Sequence, residues 1–240
     1  MIVAPSPSVS LELDPEQLVP LAFPGMSDSP VVWSVDATRR ATWAARLAVG
    51  VLDQKERERA AAFRYQVDRD TYTAAHVGLR LLLGLYLDMS PDRVQIIRHP
   101  CPNPDCGEPH GRPGVRGDEI HFSLSYTRGL VLLAFAGTSV GVDVEKIPDA
   151  ELTAKLGPLL HPREVAELGA LRPSERPPAF GRAWARKEAY LKALGTGLSR
   201  GTATDYLGTA STPPPPPPGW SLTDIAAPDG YAAAVVHQRP

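Results

Sequence analysis

Residues 139–147 read SVGVDVEKI, and residues 184–198 read WARKEAYLKALGTGL. The first segment alternates. Val140, Val142 and Val144 fall on one side of an extended chain and Gly141, Asp143 and Glu145 on the other, the period of a strand with one buried face. The second carries apolar residues at helical steps, which predicts a helix over 180–194 closed by Gly195, a natural C-cap. Asp143 and Glu145 therefore project together from a strand, and Glu188 comes from a later helix. Three carboxylates from two elements make an oxygen-ligand set for a hard cation such as Mg2+, which keeps waters and substrate phosphates as its other ligands. Each piece also has a plain reading. Two acids can sit on a solvated strand face, Glu188 and Lys192 are spaced for a helical i,i+4 ion pair, and Trp184 suits a core position.

Working outward, 120–124 and 130–135 read as strands around a turn, and with 140–144 they suggest one antiparallel sheet. Residues 31–35 read as an earlier strand, 52–87 as helical with a break near 67–68, 162–194 as helical with an interruption at 172–178, and 231–236 as a last strand. Strand followed by long helix thus occurs twice, and VVWSVD at 31–36 echoes SVGVDVE at 139–145. This favours an α+β fold of two similar halves, 1–138 and 139–240, over a single sheet. The first thirty residues carry six prolines and read as an extended arm, while Pro213 to Pro218 read as a stiff polyproline spacer or a ligand for a partner of the SH3 kind. The Pro- and Gly-rich stretch 99–119 reads as a long loop. Within it His99, Cys101, Cys106 and His110 offer a nitrogen and sulfur set that tetrahedral zinc accepts.

Composition narrows the class. The 240 residues hold 25 Lys+Arg against 27 Asp+Glu, a net charge of −2, so no basic field speaks for nucleic acid. Residues 1–38 contain no basic side chain, whereas 39–98 hold eleven basic and seven acidic residues, a local excess that suits a small anionic ligand. No apolar run reaches the ~20 residues of a membrane span, the N-terminus lacks a signal-peptide pattern, and two cysteines do not make a disulfide scaffold. A soluble cytoplasmic protein is expected.

GVDVEKI (141–147) followed by WARKEAYLKALGTGL (184–198), with HGRP at 110–113 and FSLSYT at 122–127 upstream, resembles the 4'-phosphopantetheinyl transferases of the longer Sfp type. The resemblance implies two α+β halves related by a pseudo-two-fold, with coenzyme A in the cleft between them. It further implies Mg2+-dependent transfer of the phosphopantetheine arm to a serine of an acyl or peptidyl carrier protein, with release of 3',5'-ADP, in polyketide or nonribosomal peptide biosynthesis, by a monomer. Carried over by position, Asp143, Glu145 and Glu188 would hold Mg2+, and Lys192 would act on the departing phosphate. Lys187 would contact the coenzyme A phosphates, and Glu164 would take the serine proton. Arg59, Arg112 and Ser125 match positions at the 3'-phosphate and adenine end. Tyr126 stands there in place of the usual histidine and keeps one hydrogen-bond donor without the imidazole charge. Arg80, four residues after His76, could reach the same phosphate cleft, although His76 reads more readily as a buried or capping histidine. A second reading is a coenzyme A-binding regulatory protein of this fold that no longer transfers. A third is a Mg2+-dependent phosphohydrolase.

Overall fold

The computed structural model describes residues 10–14, 24–25, 29–102, 111–117 and 120–240. Cys106 and His110 of the sequence-predicted zinc set lie outside these residues.

The fold is α+β and layered. A four-stranded sheet in the order β1-β2-β6-β5 is built from β1 (Leu11–Glu12), β2 (Val31–Asp36), β5 (His121–Thr127) and β6 (Leu130–Ala136). A three-stranded sheet in the order β7-β9-β8 is built from β7 (Val140–Lys146), β8 (Trp220–Ile225) and β9 (Tyr231–Gln238). Between β2 and β5 in sequence, β3 (Ile96–Arg98) and β4 (Pro113–Val115) pair as an antiparallel ribbon.

Period-two alternation gives each sheet two apolar faces, and each face has a cover. Trp33, Val35, Val131, Leu133 and Phe135 meet Ala75, Leu79, Leu82 and Leu83 of helix α3 (Gln66–Leu87), with α1 (Ala37–Val51) alongside. The opposite faces of the two sheets pack on each other through Val32, Leu132, Ala134, Val140, Val142, Val144 and Val235. Burying a side chain of Leu or Val size contributes roughly 1.5–3 kcal/mol, so these two clusters hold the layers together. The outer face of the second sheet is covered by α6 (Arg176–Leu194).

The expectation of a single sheet from the three strands at 120–144 is corrected. β5 and β6 pair antiparallel, but β7 pairs with β9 in the other sheet. At the seam, the hydroxyl oxygens of Ser123 and Ser125 accept from the backbone N–H groups of Val142 and Val144 at 3.1 and 3.3 Å, doing for β7 what a carbonyl ladder would do. The helical stretch of 52–87 breaks at 62–65, between α2 (Gln54–Ala61) and α3. Helices α1 and α4 (Ala150–Leu156) and strand β8 are additions of the structure to the sequence reading. Part of the N-terminal arm is an edge strand, β1, parallel to β2, which seats Leu13 in the core.

The proline run is not a free ligand. Pro213, Pro214, Pro216 and Pro217 are half-buried and only Pro215 and Pro218 are exposed, the three-residue period of polyproline II laid against a surface. A Cβ on Gly208 would meet Pro214 Cδ at 2.7 Å, so the run packs on the segment before it.

Candidate active site

Small residues bring α6 onto β7. Gly141 leaves no room for a side chain, since a Cβ there would lie 2.5 Å from the Ala193 nitrogen and 3.0 Å from Lys192 Cβ. Gly181 makes the second close approach, with Ile147 Cγ1 3.1 Å from where its Cβ would stand. The strand partners of Asp143 and Glu145 on β9 are Ala234 and Ala232, which also stay low. The helix therefore crosses close over the acidic face of the strand, and Lys192 Nζ reaches Asp143 Oδ1 at 2.7 Å and the Val142 carbonyl at 3.2 Å.

Asp143 is the centre of this arrangement. Its side chain is buried, and Oδ1 also accepts from Ser125 Oγ at 2.8 Å. Its Oδ2 is buried with no hydrogen-bond partner among the described residues. Burial, then the charges of Asp143 and Glu188, push Glu145 up to about 7, with Lys192 opposing. Burial and Asp143 likewise raise Glu188. Three carboxylates thus share one cation side chain, and a buried carboxylate oxygen without a donor costs free energy. An added divalent cation would satisfy both conditions, so the donor set fits one. The oxygens do not yet converge. Among the described residues no three His, Cys, Asp or Glu side chains stand in a metal-ligating group.

Glu188 and Lys192 line a cleft of about 280 Å³ whose other wall carries Arg98, Arg112, Phe122 and Leu124, and Leu198 stands with them. Arg112 bonds Ser139 Oγ and packs on Gly195, with its Cγ 3.3 Å from where a Cβ would be. Half-buried there, its guanidinium is pulled below its ordinary pKa by burial. Tyr126, on the same face of β5 as Phe122 and Leu124, is part-exposed and edge-on to Tyr72 at 6.2 Å; burial raises its pKa and Arg59 opposes the rise. Arg59 itself is exposed on α2 and stands over the Phe63 ring.

Three sequence-predicted site residues, Arg80, Glu164 and Lys187, are placed elsewhere by the fold. Arg80 is buried and gives its guanidinium to Glu56 at 2.6 Å, Asp53 at 3.0 Å and the carbonyls of Pro91 and Val94. Of its five N–H donors only one is left. His76, in the middle of α3 and part-buried, joins the same cluster through Glu56 at 3.2 Å and caps no helix. Burial alone would raise Glu56, but bonds from His76, the Asp53 N–H and Arg80 hold it below its ordinary value. Ser125, expected at the nucleotide end, spends its hydroxyl on the seam and on Asp143.

Glu164 and Lys187 are given to each other. The Nζ of Lys187 lies 2.7 Å from Glu164 Oε2 with both side chains buried, and it also donates to the Asp205 carbonyl. Glu164 further accepts from Leu207 and Gly208 N–H at 2.8 and 3.0 Å and from His161 N–H at 3.0 Å, capping its own helix α5 (Pro162–Ala170). Both Glu164 oxygens are thus engaged by donors, and two of the three Lys187 N–H donors go to Glu164 and the Asp205 carbonyl. Removing one partner of a buried ion pair costs roughly 3–5 kcal/mol. Glu164→Gln is therefore expected to lower the thermal midpoint by about 6 °C or more, read in a melting curve; an unchanged midpoint with lost activity would restore the proton-acceptor role.

Arg186 had no sequence reading as a site residue. It is fully buried, bidentate on Asp224 at 2.8 and 2.5 Å, and donates to the carbonyls of Gly208 and Ala210. With Glu164 on the N–H groups of the same segment, it pins 205–210 against α6. Its partners lie 21 to 38 residues away, so no local pattern announces them.

The model of the 4'-phosphopantetheinyl transferase superfamily matches residues 139–232, which contain the carboxylates, Lys192 and the pinned segment. The chain is also similar to the 4'-phosphopantetheinyl transferase HetI of a Nostoc species, at 30% identity over 214 residues covering 88% of each chain. A phosphopantetheinyl transferase of a Thraustochytrium species is 31% identical over 179 residues, 69% of this chain and 58% of that one.

Proposed function

The chain belongs to the 4'-phosphopantetheinyl transferase superfamily, and from that premise we propose that it is an Sfp-type enzyme. In this reading it moves the phosphopantetheine arm of coenzyme A to a serine of an acyl or peptidyl carrier protein, releases 3',5'-ADP and works with Mg2+ as a monomer. The observation that carries it is Asp143: buried, bridged to Lys192 across the strand–helix contact, and left with an unpartnered oxygen beside two carboxylates of raised pKa.

Asp143, Glu145 and Glu188 would hold the cation. Bound there, Mg2+ would neutralise charge developing on the pyrophosphate. Lys192 is the ammonium aimed at the departing phosphate, since α6 carries it into the cleft and Asp143 fixes its direction. Arg112 supplies a second positive group on the opposite wall. With Glu164 committed to Lys187, the proton of the attacking serine falls to Glu188, the acid of the trio that lines the cleft. Proton transfer of this kind contributes typically 10²- to 10⁴-fold. The relatives, named as transferases, do not favour the non-transferring alternative.

The test is the intact mass of an apo carrier protein after incubation with this chain, coenzyme A and Mg2+, beside an EDTA control. A phosphopantetheine gain abolished by EDTA is expected. No gain across acyl and peptidyl carriers would refute the transfer, and a gain indifferent to EDTA would refute the metal.

A pH prediction follows from Glu145. Its folded pKa of about 7 lies above the ordinary 4.5, so between those values the folded protein holds the proton more tightly than the unfolded chain. Stability of the metal-free protein should then fall as pH rises from about 4.5 to about 7 and level off above. Saturating Mg2+ should remove the slope contributed by this group. Melting curves across that range, with and without Mg2+, check both.

A further inference from the structure

Resting on that reading, we propose that Ser125 is a positioning residue of the metal centre. Its hydroxyl ties Asp143 to the first sheet and leaves Oδ2 as the oxygen which that carboxylate offers to the cation.

The reason begins at an edge. β7 is the outer strand of the sheet β7-β9-β8, so the N–H groups on its free side need partners from outside that sheet. Ser123 and Ser125 supply them. They stand opposite Ala134 and Leu132 of β6, on the face that packs against β7, and both are buried. An apolar residue at either place would leave a buried N–H unpaired, at a cost in stability. Toward Val142 and Val144 the two serines do the same work. Ser125 does a second job that the seam does not require, the bond to Asp143 Oδ1 at 2.8 Å.

The direction of that bond is set by chemistry. An ionised carboxylate has no proton to give, so the single hydroxyl proton of Ser125 goes to Asp143 while its oxygen takes the Val144 N–H. That proton is then spent and cannot serve a nucleotide phosphate. Lys192 Nζ meets the same Oδ1 at 2.7 Å, arriving from α6. Two donors from different elements converge on one oxygen and fix the rotation of the carboxylate, and Oδ2 stays buried without a hydrogen-bond partner among the described residues. The two holds differ in stiffness. Lys192 sits on a flexible four-carbon stem and in this reading turns toward the departing phosphate, whereas the short Ser125 side chain stays in place on its strand. Partners behind a metal-ligating carboxylate set its orientation, and losing one typically costs about 10- to 100-fold in metal affinity or activity.

The experiment compares the whole chain as wild type, Ser125→Ala and Ser123→Ala. Mn2+, which suits the same oxygen ligands as Mg2+, is titrated alone and read by the electron paramagnetic resonance signal of the free ion. Transfer to an apo acyl carrier protein at saturating Mg2+ gives the coenzyme A KM, and melting curves give stability. Both variants lose one seam hydrogen bond and should melt below wild type by similar amounts. Ser125→Ala is expected to bind Mn2+ about tenfold or more weakly, with Ser123→Ala within about twofold of wild type and the coenzyme A KM unchanged in both. Should Ser125→Ala not fold, Ser125→Cys, which keeps the shape with a weaker donor, must show the loss in its place. Equal losses of Mn2+ affinity in the two alanine variants, or none in either, would overturn the positioning role and leave the metal set standing. A raised coenzyme A KM in Ser125→Ala with unchanged Mn2+ affinity would overturn it too and return Ser125 to the nucleotide end. A wild-type chain that binds no Mn2+ would instead take down the metal set and this inference together.

Discussion

Glu188→Gln is expected to cut transfer by about 10²- to 10³-fold, the usual cost of losing one preorganised electrostatic group at a reacting centre, while the metal-free protein melts no lower than wild type. The two halves of this result have one cause. Glu188 is half-buried, and its pKa is raised by burial and by Asp143. In the metal-free protein its negative charge is a liability, because Glu145 and Asp143 stand close enough to repel it and Lys192 alone offsets them. An amide of the same shape removes the repulsion and keeps the packing. It also removes one of the oxygens that would meet the cation and the acid that would take the serine proton. Loss of function without loss of stability is the signature of a group placed for chemistry rather than for folding. The mass assay on a carrier protein and a melting curve on the same sample read both quantities. Full activity in Glu188→Gln would remove Glu188 from the metal set and from the proton transfer together.

Gly141→Ala should do the reverse and act on the fold first. The added Cβ would fall within the Ala189 carbonyl oxygen, 2.5 Å from the Ala193 nitrogen and 3.0 Å from Lys192 Cβ. Two of these are backbone atoms of α6 and cannot swing away as a side-chain end can, so the helix itself must move off β7. Overpacking costs typically 1–3 kcal/mol and occasionally more, and a clash with backbone belongs at the upper end, about 3 kcal/mol. For a chain of this size that is a fall in the thermal midpoint of roughly 6–12 °C. Transfer should drop even below the midpoint, because a shifted α6 carries Lys192 away from Asp143. Gly50→Ala is the control. It lies in α1 with nothing within 4 Å of the new methyl, and there alanine should gain up to about 1 kcal/mol. Equal midpoints for the two variants would refute the close-contact account of how α6 is seated.

Much of the site was legible because its chemistry is written in short spacings. Asp143 and Glu145 share a face by the two-residue period of β7, and Glu188 and Lys192 share one by the four-residue step of α6. What the same segments do elsewhere was not legible. Arg186 and Lys187 adjoin Glu188 in sequence but point to the opposite side of the helix, into Asp224, Glu164 and the segment 205–210. A resemblance carried over position by position sends Lys187 and Glu164 to the substrate, whereas packing sends them to each other. The same holds for Arg80, a cation in a region of basic excess that spends four of its five N–H donors on Glu56, Asp53 and the carbonyls of the turn before β3.

The sequence by itself determined the classes of element, the carboxylate pair, the helix with its glycine cap, and the family to which they belong. It could do so because strand and helix periods and cap chemistry act over two to four residues. Only the tertiary structure decided that β7 leaves the sheet of β5 for that of β9, that Ser125 serves the seam, and that Glu164 and Lys187 are a buried pair. Those outcomes depend on which groups find partners tens of residues away once water is excluded, and a buried charge goes to whichever opposite charge the packed layers bring within reach.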